Sequence, residues 1–221
     1  MSLRALSLLE CRVLGVLVEK ERTVADSYPL SLNSLVLGCN QKTARDPVMN
    51  AGESEVLAAV DDLKALSLVV EVSGSRVARY EHNLGRALGI PSQSVALLAT
   101  LVLRGPQTPA ELRTAAERLH RFADVSAVEG FLDELAARPA EKGGALVVKL
   151  PRAPGAREQR WAHLLCGPVD LTALPVASDD ESIVAMSELA ALKARLAAAE
   201  NEVGRLGALV ERLCRELNVR P

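Results

Sequence analysis

Two groups of side chains in this sequence could do chemistry. One is a set of thiols and imidazoles, and the other is a run of amides and cations. The thiols are Cys11, Cys39, Cys166 and Cys214, and the imidazoles are His82, His120 and His163. Such groups hold a soft metal ion or cycle through a disulfide, and close spacing such as CxxC is how sequence betrays either use. No two cysteines here are that close, and the histidines do not cluster with them. No metal site, disulfide framework or cofactor is expected, and each cysteine reads as a small core residue. No Ser/His/Asp set, Gly-rich phosphate loop or paired-ligand motif occurs, so the chain is not read as an enzyme. Gly143-Gly144-Ala145 is too short to cradle phosphate and reads as a turn before a strand.

The amides and cations lie in "CNQKTARDPVM", Cys39 to Met49. Asn40 and Gln41 carry amides of the kind that pair with adenine edges. Lys42 and Arg45 carry charges of the kind that meet phosphates. More cations follow at Arg76 and Arg79, then at Arg152, Arg157 and Arg160. Together these nine residues are the candidate contacts to double-stranded DNA. The same stretch has a second reading as a connector. Asn40 would end the preceding helix, Asp46 before Pro47 would force an extended turn, and Arg45 and Asp46 would bond backbone groups.

The bulk composition says what must position these residues. The 221 residues suffice for two small domains or one larger one, and 49% are hydrophobic but only 2% aromatic. The core must therefore be Leu, Val and Ala, a composition that favours helices. The formal net charge is -2, with a pI near 6.0. Proteins that coat nucleic acid or anionic membranes are usually basic, so this balance argues against either role. No apolar run is long enough to span a bilayer, and Glu10 and Arg12 interrupt the apolar N-terminus. A cytoplasmic protein with no membrane partner is expected.

The chain carries one unit twice. "RYEHNL" at 79–84 matches "RWAHLL" at 160–165 in its Arg, aromatic, His and Leu positions. Each unit opens with an apolar helical stripe. Leu97, Leu98, Leu101 and Val102 of the second match Val13, Leu14, Leu17 and Val18 of the first. Ser7 is the expected cap of the first stripe, and Gly105 with Pro106 ends the second. A short second helix follows, capped by Ser31 in one unit and by the Thr108–Glu111 capping box in the other. The third helices carry Val56, Val60, Leu63 and Leu66, and Val128, Phe131, Leu132 and Leu135. Each unit closes on two β-like runs. The recurrent His82 and His163 read as a packing device, each docking a hairpin on its helices. His120 reads as a helix-end cation.

After Pro168 and Pro175 the character changes, and residues 182–218 contain no proline. A heptad runs through Leu189, Leu192, Leu196, Val203, Leu206, Val210, Leu213 and Leu217, the pattern of a coiled-coil seam. Self-association as a homodimer through this helix is expected, with Glu188 facing Lys193 and Arg195 facing Glu200 of a parallel copy. The expected fold is mainly α (α+β): two tandem winged helix-turn-helix domains at 1–85 and 90–168, a linker at 169–181 and a coiled-coil helix at 182–219.

"NQKTARDPVM", "RYEHNL", the closing run from Gly155 through Arg157 to Leu165, and the C-terminal heptad together resemble the bacterial YceH-like family. The resemblance covers nearly the whole chain, and the run from Asn40 to Met49 is its most specific part. It implies tandem winged helices and no particular activity. Ser67 stands where such domains are expected to carry a glycine before the wing strand.

Two functions fit these readings. One is a dimeric double-stranded DNA binder of the transcriptional-regulator kind, with each third helix in a major groove. The other is a protein-interaction scaffold, like proteins that resemble the chromosome-segregation accessory ScpB. The usual use of winged helices puts DNA binding first, with the scaffold as the alternative; Glu53, Glu55, Asp61 and Asp62 on one third helix, and Glu129, Asp133 and Glu134 on the other, weigh toward the scaffold.

Overall fold

A computed structural model describes residues 3–72, 77–153 and 155–169. They belong to one compact unit, Met1–Ala173. The heptad segment, its eight seam residues and Arg76 lie outside the described residues.

The protein is a mixed α+β structure, about half helical, and its described part has seven helices and two small sheets. Helix α1 (Leu8–Thr23) starts at Ser7, whose Oγ accepts from the Glu10 amide at 3.1 Å while the Glu10 carboxylate accepts from the Ser7 amide at 2.6 Å. This reciprocal pair satisfies two amides that the first turn leaves without helical partners. α2 (Leu32–Cys39) is capped by Ser31, and α3 (Glu53–Ala65) runs to a turn at Ser67. Strands β1 (Leu30–Ser31), β2 (Val69–Val72) and β3 (Arg79–His82) form an antiparallel sheet in the order β1-β3-β2.

A short helix α4 (Leu84–Leu88), which the sequence pattern did not announce, ends at Gly89 with φ of 63°. It leads into α5 (Ser92–Arg104), α6 (Pro109–Ala115) and α7 (Val125–Ala136). β4 (Val147–Lys149) and β5 (Trp161–His163) close the order as an antiparallel pair. The capping box Thr108–Glu111 forms as its spacing predicts, with Pro109 in the first turn of α6.

The two halves thus repeat one order of three helices and a hairpin, and the agreement extends to side chains. Leu30 of β1 pairs with Tyr80, and Gln107 bridges to Trp161 at the same place in the second half. Arg79 donates to the Pro29 carbonyl at 2.7 Å, and Arg160 donates to the Pro106 carbonyl at 2.8 Å. Each proline lies two residues before a helix cap, Ser31 or Thr108. The recurrent arginine therefore ties the second hairpin strand to the entry of its second helix.

The halves share one core. A single apolar cluster runs from Leu6 to Leu165, with α1 packed most extensively on α5. The approach is tight enough that a Cβ on Gly15 would lie 2.9 Å from Leu103, and one on Gly38 would lie 2.5 Å from Val16. A methyl at either place would force the facing Leu103 or Val16 side chain to move. Among the described residues no helix is long and apolar enough to cross a membrane.

Candidate nucleic-acid interface

The stretch after α2 decides most of this site. Four backbone carbonyls at a helix C-terminus lack helical partners and must be satisfied otherwise. Arg12, buried in α1, donates to the Cys39 carbonyl at 3.0 Å and to the Pro47 carbonyl at 2.6 Å. Arg45 donates to the Gly38 carbonyl at 3.3 Å and to its neighbour Ala44 at 2.9 Å. Its guanidinium also grips the Glu19 carboxylate at 3.1 and 2.6 Å, and its side chain has 0% exposure. Burial pushes the Glu19 carboxyl upward, but the Arg45 hydrogen bonds and charge outweigh it and leave the group below the usual carboxylate range.

The amides are engaged as well. Asn40 donates to the Ala51 carbonyl at 2.9 Å and accepts from the Ala51 amide at 2.7 Å, clasping both ends of the connector. Gln41 donates to the Thr43 carbonyl at 2.9 Å and accepts from Lys20 at 3.3 Å. The Asp46 amide donates to the Leu103 carbonyl of α5 at 2.7 Å. Asn40, Gln41 and Arg45 thus bond within the corner, as the connector reading expects. The reason is that α2 ends against α1, where its carbonyls need donors that water cannot supply. Of the four candidates in the stretch, Lys42 alone is exposed.

The hairpin arginines divide in the same way. Arg79 and Arg160 serve the proline carbonyls, and Arg160 also pairs with Glu111 at 2.9 Å. Arg152 and Arg157 are exposed in the loop between β4 and β5 and pair with no described residue. An open cleft between the connector and α6 is lined by Arg45, Asp46, Arg104, Glu111 and Arg160. Arg104 was not singled out from the sequence, where it reads only as a helix-end residue. The charges of this cleft nearly balance.

The third helices present the opposite sign. On α3, Glu53, Glu55, Asp61 and Asp62 are all exposed, and on α7 so are Glu129, Asp133 and Glu134. Leu57 of α3 is 38% exposed and Leu37 of α2 is 67% exposed.

The histidines behave differently from each other. His82 accepts from the Leu84 amide at 3.4 Å, its own amide donates to the Tyr28 hydroxyl at 2.9 Å, and its Nε2 lies 3.3 Å from Glu21. His163 has a buried Nδ1 with no hydrogen-bond partner, and burial pushes its pKa down to about 4. It is therefore a neutral imidazole near pH 7, and the shared docking role expected of the pair holds only for His82. The cysteines are not all isolated either. Cys11 Sγ and Cys166 Sγ lie 3.1 Å apart, and with a His163 ring nitrogen their ligand atoms fall within 4.8 Å of one another. Cys39 fits the core reading, its thiol pushed up to about 12 by burial.

These features define an α+β protein of two fused helix-and-hairpin repeats with acidic third helices and a small thiol–imidazole cluster. A family model described as "Protein of unknown function, DUF480" matches residues 6–156. A UPF0502 protein of Methylibium petroleiphilum is 68% identical over 194 residues, covering 87% of this chain and 82% of its own length. Others from Leptothrix cholodnii and Paraburkholderia phytofirmans are 63% and 61% identical, covering 98% and 99% of this chain and 97% and 92% of their own. The chain belongs to the DUF480/UPF0502 family.

Proposed function

We propose that this chain is a non-catalytic, tandem winged-helix scaffold that binds a protein partner bearing a basic surface. The YceH-like resemblance and the twice-repeated order of helices and hairpin support the winged-helix reading. One observation carries the function: the exposed faces of α3 and α7 hold seven carboxylates between them. In a winged helix the third helix faces the major groove. An acidic face there repels phosphates, whose neutralisation supplies most nucleic-acid affinity. The same face attracts a Lys- or Arg-rich segment, and the exposed Leu37 and Leu57 add apolar contact on adjacent helices. Self-association through residues 182–219 would double the surface.

A second reading is double-stranded DNA binding through the connector after α2 and the loop between β4 and β5, favoured by the exposed Lys42, Arg152 and Arg157. Fluorescence anisotropy of the full chain against mixed genomic DNA fragments, across a salt series, separates the two. The scaffold reading expects no DNA binding even at low salt, together with binding of a Lys/Arg-rich helical peptide that Asp61→Lys with Asp62→Lys abolishes. DNA affinity that falls steeply with salt, with a slope reduced by about 1 in Lys42→Ala, would replace it with the DNA reading.

A further inference from the structure

Cys11 is the fourth residue of α1, whereas His163 ends β5 and Cys166 lies in the turn that follows it. The fold brings these distant segments together and holds their backbones. The Leu6 amide donates to the Leu165 carbonyl at 2.8 Å, and the Leu164 amide donates to the Leu146 carbonyl at 2.8 Å. The turn is closed by the Gly167 amide on the Leu164 carbonyl at 3.0 Å, with Gly167 at φ of 95°. Donor atoms on three pinned backbones need little reorganisation to meet one ion.

We propose that Cys11, His163 and Cys166 form a zinc(II) site that clamps the start of α1 to the turn after β5. Three observations carry it. The two sulfurs and an imidazole nitrogen converge within 4.8 Å. The buried Nδ1 of His163 has no hydrogen-bond partner, and such an atom in a folded protein calls for one. The donors are soft thiolates and an imidazole, which suit zinc rather than magnesium or calcium.

The geometry is close to what the ion needs. With Zn–S near about 2.3 Å, a tetrahedral centre sets its two sulfurs about 3.7 Å apart. The present 3.1 Å must open by roughly 0.6 Å, a small side-chain adjustment. Binding displaces the two thiol protons to solvent, so Zn(II) with two thiolates and a neutral imidazole carries no net charge. That neutrality suits a site whose Cys11 is buried. Glu10, the adjacent carboxylate, is occupied by Arg4 and the Ser7 amide, so among the described residues the fourth position falls to water. A disulfide between the same cysteines would make no use of the imidazole nitrogen that converges on them, which is why the geometry points to a metal.

The test is titration of the full, reduced, chelator-treated chain with Co(II) as a spectroscopic probe, followed by displacement with Zn(II). The expected result is one ion per chain, visible bands of tetrahedral intensity and a near-ultraviolet thiolate-to-cobalt band, all removed by Zn(II). Cys166→Ser, at a half-buried turn position, should lose about half of the thiolate band. His163→Gln should weaken Zn(II) binding by more than about tenfold. Cys39→Ala and Cys214→Ser should change neither. Circular dichroism of each variant separates loss of a ligand from loss of the fold. Absence of a thiolate band in the reduced chain, or a band unaffected by Cys166→Ser, would overturn the site. So would a reduced chain that takes up no cobalt yet loses two hydrogens between Cys11 and Cys166 under mild peroxide.

Discussion

The passage from the second helix to the third is made twice in this protein, and by different means. In the first repeat it is held by charge: Arg45 grips Glu19 and the Gly38 carbonyl, and Arg12 reaches the Cys39 and Pro47 carbonyls. In the second it is held largely by aromatic packing. Phe122 is buried, with His120 against it at 4.7 Å between ring centroids and Phe131 at 6.0 Å. The long connector leaves carbonyls that need donors, so it carries buried cations. The shorter one closes around an apolar plug. A polar run in sequence can therefore mark a buried polar network as readily as a binding surface.

The largest effect that would break this comparison is expected from Arg45→Ala. It leaves the largely buried Glu19 carboxylate with Lys20 alone, at 3.2 Å, and strands a helix-end carbonyl, and should cost about 3 kcal/mol in urea unfolding. A loss below about 1 kcal/mol would mean that the pair is solvated and the connector loosely held. Phe122→Ala should cost about 3 kcal/mol by the cavity it opens in the second repeat. If the two repeats share one core, both variants should unfold in a single transition by fluorescence and circular dichroism. Two separate transitions would show independent halves.

Acid bears on the contrast as well, because a largely buried carboxylate gripped by an arginine holds only the first connector, whereas the carboxylate of the second, Asp124, is an exposed cap that accepts from the Ala127 amide at 2.8 Å. Glu19 has a pKa below its ordinary value in the folded chain, set by Arg45 against the opposing effect of burial. Glu10 is lowered too, chiefly by its hydrogen bond from Arg4. A group depressed on folding adds stability above its unfolded pKa and loses it as pH falls through the folded one. Stability should therefore decline below the usual carboxylate range, and Arg45→Ala should flatten that decline. A wild-type profile flat into strong acid would contradict the charge-held connector.

Smaller effects follow. Asn40→Ala removes both bonds to Ala51 and should cost about 1–2 kcal/mol. Ser67 holds φ of 59° just before β2, whereas the second repeat meets its hairpin through Gly143 and Gly144 at 95° and 80°. Ser67→Gly should therefore stabilise the chain by about 0.5–1 kcal/mol, read as a raised thermal midpoint. Lys42→Ala should change stability by less than about 0.5 kcal/mol, since the side chain is exposed and pairs with no described residue.

Much of the architecture was legible before the structure. The caps at Ser7, Ser31 and Thr108, the apolar faces of the helices and the repeated closing strands all follow from spacings of a few residues. Helix α4 was not legible, because five residues are too few to show a helical period. The site was read less well. Lys42, Arg152 and Arg157 stand exposed as a cationic site requires, but Asn40, Gln41, Arg45, Arg79 and Arg160 are engaged with backbone or carboxylate partners. A polar residue has the same letter whether it faces water or an unsatisfied carbonyl.

Local spacing marked the longer helices and the hairpin strands, though not α4 or β1, and showed one unit twice, because those properties depend on neighbours within a turn or a strand. The fusion of the repeats into one core by α1 and α5, and the inward turn of Arg45, came from packing across the fold. That packing alone joined Cys11 to Cys166 across most of the described chain. Contacts between distant segments leave no local period, and a side chain's role there is set by whichever atoms the packed backbone brings within reach.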